Sequence, residues 1–437
     1  MDRDKGVNTR LRPDEWAYLL LIFSLPLVRP FYLTVAWGML VPLTDFIFVG
    51  AALAWLLALA TKQASFRRSR FYVPLALYLG ALVIATVTST VPRHSAIKLV
   101  GEVYLIGLAV LTFNLVCCES FMRRVMGAWL AGTALTVAVG LAGIFLFYLG
   151  VKSPSRNFPL SSYGSLPPGD YPRIQALFTN PNMLCTYLNI SLAVCWVTHA
   201  LGWLRPLWSR ALHAGTWVVS FFTLSPGLGG CVLSAGLWGW ARLKGTKHRC
   251  RGLLALTGGV LAAVAFFLAT LVSPVTRGRG GVVLPTGRRV EPSSRVLVWQ
   301  TAFATFRQYP IFGRGLGAQV SSVEYLNASG RLEHLTDAHN CWLSIAGQGG
   351  VLGLATFLAV ILYLVRNEET HREDDANGLL RWGLRTAFIG FLYQNLTGSF
   401  EDTRHLWVLI GLVAAMRDGM ESISRHQKFV RAAAAER

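Results

Sequence analysis

From Glu15 onward the chain alternates long apolar runs with short polar gaps, and the runs have the length of a bilayer crossing. A helix needs about twenty mainly apolar residues to span the hydrocarbon core. Read at that length, twelve runs qualify: about 15–34, 40–61, 71–90, 97–118, 125–149, 182–201, 211–224, 227–242, 252–273, 340–365, 382–398 and 405–416. The seventh and eighth are short and part only at Ser225-Pro226-Gly227, which reads as a tight outer turn between closely touching helices. The pattern predicts an all-α polytopic integral membrane protein of about 12 transmembrane helices, forming one transmembrane domain over residues 1–437. No repeat with a period of roughly 20 to 50 residues is visible, and no inverted halves of the transporter kind.

Three polar stretches break the pattern on the outer side. Residues 151–181 are rich in Pro, Ser and Gly and read as irregular backbone. They end in Arg173 and Asn180-Pro181-Asn182, where Asn180 suits a helix cap and Pro181 the first helical position. Arg173 then stands just outside a helix N-terminus, where free N–H groups favour anions; the competing reading is an interfacial arginine that snorkels. The second stretch, 274–338, is a large outer loop between helices nine and ten. In it Ser293-Ser294 precede RVLVWQTAFATFRQYP, with Val296, Trp299, Phe303 and Phe306 at helical spacing and Pro310 as the stop. This predicts an N-capped amphipathic helix lying along the membrane surface, with Arg295 in its first turn. In the third stretch, Ser399 to His405, Arg404 is expected to pair with the adjacent Glu401-Asp402. Within the spans, Asp45, Lys98 and Glu102 stand out. An unpaired ionisable group in lipid is costly, so these are either functional or partners in buried ion pairs.

Composition sharpens the class. The chain is 53% hydrophobic and 14% charged, with mean hydropathy +0.45, whereas a soluble domain carries about a quarter charged residues. No soluble domain of ordinary size is left over. A net charge of +19 invites a nucleic-acid reading. With the N-terminus inside, however, more than half of the 41 basic residues fall in cytoplasmic pieces, the positive-inside pattern of a membrane protein. Nucleic acid is thereby set aside. The most basic of those pieces, RLKGTKHRCR at 242–251, fits orientation and contact with anionic lipid heads. Most of the seven cysteines lie inside spans or near the inner face, with no CxxC and no spacing that suggests a metal or a disulfide framework. The charged start leads into a long span without a small-residue cleavage site, so the first span is expected to serve as the insertion signal.

Candidate chemistry gathers ahead of the tenth span: Arg277, Arg279, Arg288, Arg289, Arg295, Arg307, Arg314 and Arg331, then Asp337, His339 and Asn340. From Ser273 to Ala338 every lysine-or-arginine position is arginine, against Glu291, Glu324, Glu333 and Asp337. Arginine's planar fork binds phosphate bidentately and stays charged. The loop therefore points to a phosphate or diphosphate ligand; the competing reading is a solvated loop in a genome that favours arginine codons. His339 is the favoured general base, since a neutral imidazole accepts a proton near pH 7. A histidine at a helix start also serves as a cap or an interfacial ring. The outer loops carry no DxD and no clustered carboxylates of the kind a divalent cation wants. Transfer without metal is expected, with arginines stabilising a departing diphosphate, and no cofactor is called for. No Ser–His–Asp or Cys–His spacing supports a covalent nucleophile.

His339-Asn340, nine residues, then Gly350-x-x-Gly353 resembles the His-Asn-x9-Gly-x-x-Gly signature of bacterial lipopolysaccharide O-antigen ligases and the related O-antigen polymerases. SSRVLVW at 293–299, PIFGRGLG at 310–317, SFEDTRHLW at 399–407 and R-x4-F-x-N-P-N from Arg173 to Asn182 are also similar to that superfamily. The likeness is specific across about 290–365, weaker at 173–190 and 399–412, and topological elsewhere. It implies a GT-C-like membrane glycosyltransferase at the periplasmic face of the bacterial inner membrane, with both termini cytoplasmic and 274–338 as the periplasmic loop. Its substrates would be undecaprenyl-diphosphate-linked O-antigen and a sugar hydroxyl of lipid A-core, among membrane lipids, with inversion at the anomeric carbon. By motif position His339 would be the base, Arg173 and Arg295 would hold the diphosphate, and Arg288, Arg289 and Asn340 would bind substrate.

Two departures stand out. Many members have Ser-Arg-Gly after the seventh span, where this chain has Ser225-Pro226-Gly227, so Arg288 or Arg289 would replace a missing arginine. Gln348 stands where many carry an acid. Rival readings are an O-antigen polymerase with a lipid-linked acceptor, a ligase with a protein acceptor, and a lipid-linked glycan flippase. The last predicts charges strung along the span interiors, whereas here they collect at one outer face.

Overall fold

The computed structural model describes residues 11–29, 32–34, 40–151, 160–163, 171–243, 247–274, 282–283, 289–326, 332–366 and 376–418. Within them lie thirteen helices: α1 (Pro13–Ser24), α2 (Leu43–Ala60), α3 (Tyr72–Val87), α4 (Pro92–Leu115), α5 (Glu119–Tyr148), α6 (Pro181–Ala200), α7 (Pro206–Phe222), α8 (Leu228–Leu243), α9 (Arg249–Ala269), α10 (Ser294–Gln308), α11 (Cys341–Val365), α12 (Ala376–Gln394) and α13 (Arg404–Asp418). Short strands occupy connections between helices: β1 (Tyr32–Thr34), β2 (Leu40–Pro42), β3 (Leu160–Tyr163), β4 (Tyr171–Ile174), β5 (Val272–Pro274), β6 (Val282–Val283), β7 (Arg289–Pro292), β8 (Val323–Leu326) and β9 (Leu332–Leu335). Every strand pairing is antiparallel, with β7 central between β5 and β6.

Prolines set several starts. Pro13, Pro92, Pro181 and Pro206 all occupy first-turn positions, where a missing N–H costs nothing. Six helices (α2, α4, α5, α6, α9 and α11) are long and apolar enough to cross a membrane. Their burial sorts them. In α6, 83% of the apolar window is buried inside the protein, against 22% in α2 and 17% in α9. A helix that is apolar all round yet turns outward needs a lipid solvent. The molecule is therefore a multi-pass membrane protein centred on α6, with α13 buried from His405 to Met416 against α4 and α12.

Several expectations change. The first run does not continue to residue 34: α1 ends at Ser24, and the chain turns and enters the β1–β2 hairpin, a break that Pro26 and Pro30 make natural. The seventh helix begins at Pro206, earlier than its apolar core suggests. The turn after it joins helices that share α6 but otherwise diverge, since α7 packs on α5 while α8 packs on α9 and α12. The stretch 151–181 is not wholly irregular, because β3 pairs with β4 across Ser161–Arg173.

Helix α10 exists, but Ser293 does not cap it through its side chain; the hydroxyl donates instead to the Thr270 carbonyl, 2.6 Å away. Its buried face is Val298 and Ala302, packed with Val320, Ala338 and Leu343, and not the 296/299/303/306 set. Phe303 is left 51% exposed.

The charges in the apolar runs are paired. Asp45 accepts two hydrogen bonds from Arg404, at 2.5 and 2.6 Å, and a third from Tyr104 at 2.8 Å. Arg404 thus pairs across the bundle and not with its sequence neighbours Glu401 and Asp402. Lys98 takes Asp402 and, at 3.4 Å, Glu102. In a membrane, such pairing removes most of the cost of charge.

Candidate active site

The helix that follows His339 is broken, and the break builds the site. At Gly350 the backbone leaves the helix (φ 64°, ψ −161°), a region open essentially to glycine alone. The turn made by Pro310 to Gly315 inserts there. Arg314 and Gly315 donate their N–H groups to the carbonyls of Gly347 and Gln348, at 2.8 and 3.2 Å. Those carbonyls would otherwise have accepted from Val351 and Leu352, which donate instead to Pro310 and Ile311 at 2.8 and 3.2 Å. All four of these displaced backbone groups find partners, which is what a buried break requires. Gln348 adds a side-chain tie, accepting from Gly317 N–H at 2.7 Å and donating to Ser344 at 2.9 Å.

His339 lies just before this short first half of α11. Its φ is +47°, unusual for a side chain larger than glycine. Asp337 holds it twice, accepting from the His339 backbone N–H and contacting ring Nδ1, both at 3.2 Å. Asp337 to His339 is an Asx-type turn, so the carboxylate fixes chain direction and ring together. The ring is partly exposed, and no hydrogen bond among the described residues takes up its Nε2. Burial works to raise the Asp337 carboxyl, but the His339 ring and the Ser399 hydroxyl outweigh it and hold it below the ordinary value. Because the folded value is depressed, this stabilisation is present at neutral pH and is lost as pH falls through the lowered value. Asn340 caps α11, accepting from Leu343 N–H at 3.1 Å, and donates to the Leu396 carbonyl at 3.2 Å.

The turn after α12 gathers the other groups. Cys341 N–H donates to Asn395 and Gly398, at 2.9 and 3.1 Å, so the His339 corner rests on residues 395–398. One step earlier, Gln394 donates to the Gly227 carbonyl at 2.8 Å, and the Tyr393 hydroxyl, in the neighbourhood of Arg295, donates to the Ala263 carbonyl at 2.7 Å. On the far side of the α7–α8 turn, Arg173 donates to the Thr223 carbonyl at 3.1 Å and to Asn182 at 3.2 Å. It thus meets the carbonyl end of one helix, where a cation is favoured, and the first turn of another.

Four non-glycine residues among those described have positive φ, and three of them flank these groups: Ala176, Leu224 and His339. Such conformations cost about 1–3 kcal/mol each and cluster at functional sites. Arg289 lies on β7 opposite Val283, whereas Arg277, Arg279, Arg288 and Arg331 fall outside the described residues.

Beneath the corner, Glu401 is 5% exposed and accepts from Ser344 at 2.5 Å. Burial, and then the charge of Asp402, push its carboxyl up to about 7. A carboxyl that keeps its proton toward neutrality is cheaper to bury.

Sequence reading named Asp337 without a role, placed Ser399 only at the start of a polar stretch, and missed Tyr393 and Thr223. For Asp337 a signal existed, an Asx residue two before a special position. The others touch the site only through tertiary packing.

The family model described as O-antigen ligase matches residues 211–358, about a third of the chain. The matched stretch runs from α7 through the Gly350 break and includes Arg288, Arg289, Arg295, His339 and Asn340; Arg173 and Glu401 lie outside it. The resemblance carried by the His-Asn-x9-Gly-x-x-Gly motif is borne out there. No curated protein matches the chain.

Proposed function

We propose, from the O-antigen ligase-type domain that residues 211–358 form, that the chain transfers a polysaccharide from undecaprenyl diphosphate to a sugar hydroxyl of lipid A-core. The domain supports an enzyme of the O-antigen ligase and polymerase superfamily, acting on lipid-linked glycans in a membrane. The finer reading rests on one observation: an imidazole held at Nδ1 by Asp337, with Nε2 left over, at the junction of the outer loop and an apolar helix.

In this reading the acceptor hydroxyl gives its proton to His339 Nε2 as its oxygen attacks the anomeric carbon. The bond from that carbon to the diphosphate oxygen breaks on the opposite face, which inverts the centre. Arg173 and Arg295, with Arg288 and Arg289, meet the charge on the departing undecaprenyl diphosphate; fixed cations do this without reorganisation. That cationic set supports transfer without a metal. The reaction would take place at the periplasmic face of the inner membrane, in a GT-C-like bundle of twelve spans with both termini inside, an orientation that the basic inner loops support.

The deciding assay uses purified protein, the lipid-linked glycan and EDTA, with lipid A-core or a second lipid-linked glycan as acceptor. Glycosylated lipid A-core is the expected product. A lengthened lipid-linked glycan with lipid A-core untouched would make the chain a polymerase instead.

Asp337 is a positioning residue here. Asp337→Asn is expected to lower kcat about tenfold or more with little change in KM, because the amide no longer selects the Nδ1–H tautomer. Asp337→Glu should restore part of the rate. Equal rates for wild type and Asp337→Asn would remove the carboxylate from the mechanism.

A further inference from the structure

We infer that a pocket at the end of the bundle away from His339 binds a phosphate-bearing anion, of which the headgroup of an anionic phospholipid is one source and inorganic phosphate another. This reading is independent of the transfer chemistry. The pocket is a cavity of about 410 Å³ where the C-terminal end of α6 meets the start of α7 and the end of α8. Asn182, which holds Arg173, lies in the first turn of the same α6, and His199 lies in its last. At the helical rise the two ends are about 25 Å apart.

The lining has one sign. His199, Arg210 and Arg242 form an exposed rim, and no aspartate or glutamate lines the cavity. Two guanidinium groups converging on one concavity repel each other, and an anion seated between them removes that cost. The floor is aromatic. Trp196, 8% exposed, and Trp217 both donate their indole N–H to His213 Nε2, at 2.9 Å each. A ring nitrogen that accepts two hydrogen bonds carries no proton, so the neutral ring keeps its proton on Nδ1, a further donor in the lining. Arg242 lies 6.0 Å from the Trp238 ring, which steadies the guanidinium at the rim.

Arginine and aromatic rings at one depth suit a headgroup whose phosphate binds the fork while its acyl chains leave along apolar helices. Basic pockets between helices on the inner side meet the leaflet richest in anionic lipid. A larger cavity nearby, about 680 Å³, carries Arg123 and Arg124 but also Glu119, whose carboxylate offsets them.

The test is native mass spectrometry of the full-length protein in a nonionic detergent, titrated with phosphatidylglycerol, phosphatidylcholine or inorganic phosphate. Wild type and R210K/R242K should retain one phosphatidylglycerol in preference to phosphatidylcholine, and R210Q/R242Q should bind it at least tenfold more weakly. Displacement of the lipid by inorganic phosphate would show that the site takes both sources. Should the double variant not accumulate, R242Q alone at the exposed end of α8 tests the same point. Retention by the glutamine variants equal to wild type, or no retention of either anion by wild type, would overturn the proposal.

Discussion

Replacing His339 by alanine should lower transfer to lipid A-core by about a hundredfold to ten-thousandfold, the contribution a positioned general base makes. The loss should fall on kcat, because in the proposed site the diphosphate would be held by arginines on other elements: Arg173 on β4 and Arg295 in the first turn of α10. Donor binding should persist in His339→Ala, and a binding measurement with the lipid-linked glycan separates the two effects. His339→Gln keeps a hydrogen-bonding group but cannot take a proton at neutral pH, so it should be no faster than alanine. A wild-type rate in His339→Ala would show that another group deprotonates the acceptor. His339 would then be a corner residue valued for its turn.

The second large effect concerns the break in α11. Gly350→Ala should sharply reduce the yield of folded protein, whereas Gly353→Ala, in the same motif, should be nearly silent. A Cβ on Gly350 would lie 2.2 Å from the Ile311 carbonyl oxygen and 2.7 Å from Gly313 N, at a φ no side chain favours. The strain alone is about 1–3 kcal/mol, and relieving the clash expels the 310–315 turn with its four backbone hydrogen bonds to α11. A Cβ on Gly353 would meet nothing nearer than 3.8 Å, and inside a helix alanine is the better residue by about 1 kcal/mol. Fluorescence-detected size exclusion in detergent, before and after heating, reads both variants. Equal behaviour of the two would mean that the break does not hold the fold.

The helices were legible because lipid writes a long, uniform signal, and the His-Asn corner was legible because polar chemistry there abuts an apolar run. What escaped depends on partners distant in sequence. Gly350 inside an apolar stretch reads as a tolerated helix residue until Pro310 and Ile311 are seen to take over its hydrogen bonds. Arg404 stands two residues from Asp402, yet it pairs with Asp45, 359 positions away. The strands between the helices are two to four residues long, too short for alternation to register. Helix α10 shows a different limit. Its large apolar residues are spaced for one face, but the face that packs on the protein carries the smaller Val298 and Ala302.

The wedge at Gly350 makes the nine residues between Asn340 and Gly350 a ruler. One end is clamped by the 310–315 turn and the other by Asn340 on the Leu396 carbonyl. Between them lie two to three helical turns in which each residue contributes about 100° of rotation and 1.5 Å of rise. Inserting or deleting a single residue there would leave every contact chemically available and still swing the Asp337–His339 corner by more than a quarter turn away from residues 395–398, on which it rests. The spacing in the motif is therefore a phase requirement, and length variation belongs outside the clamps.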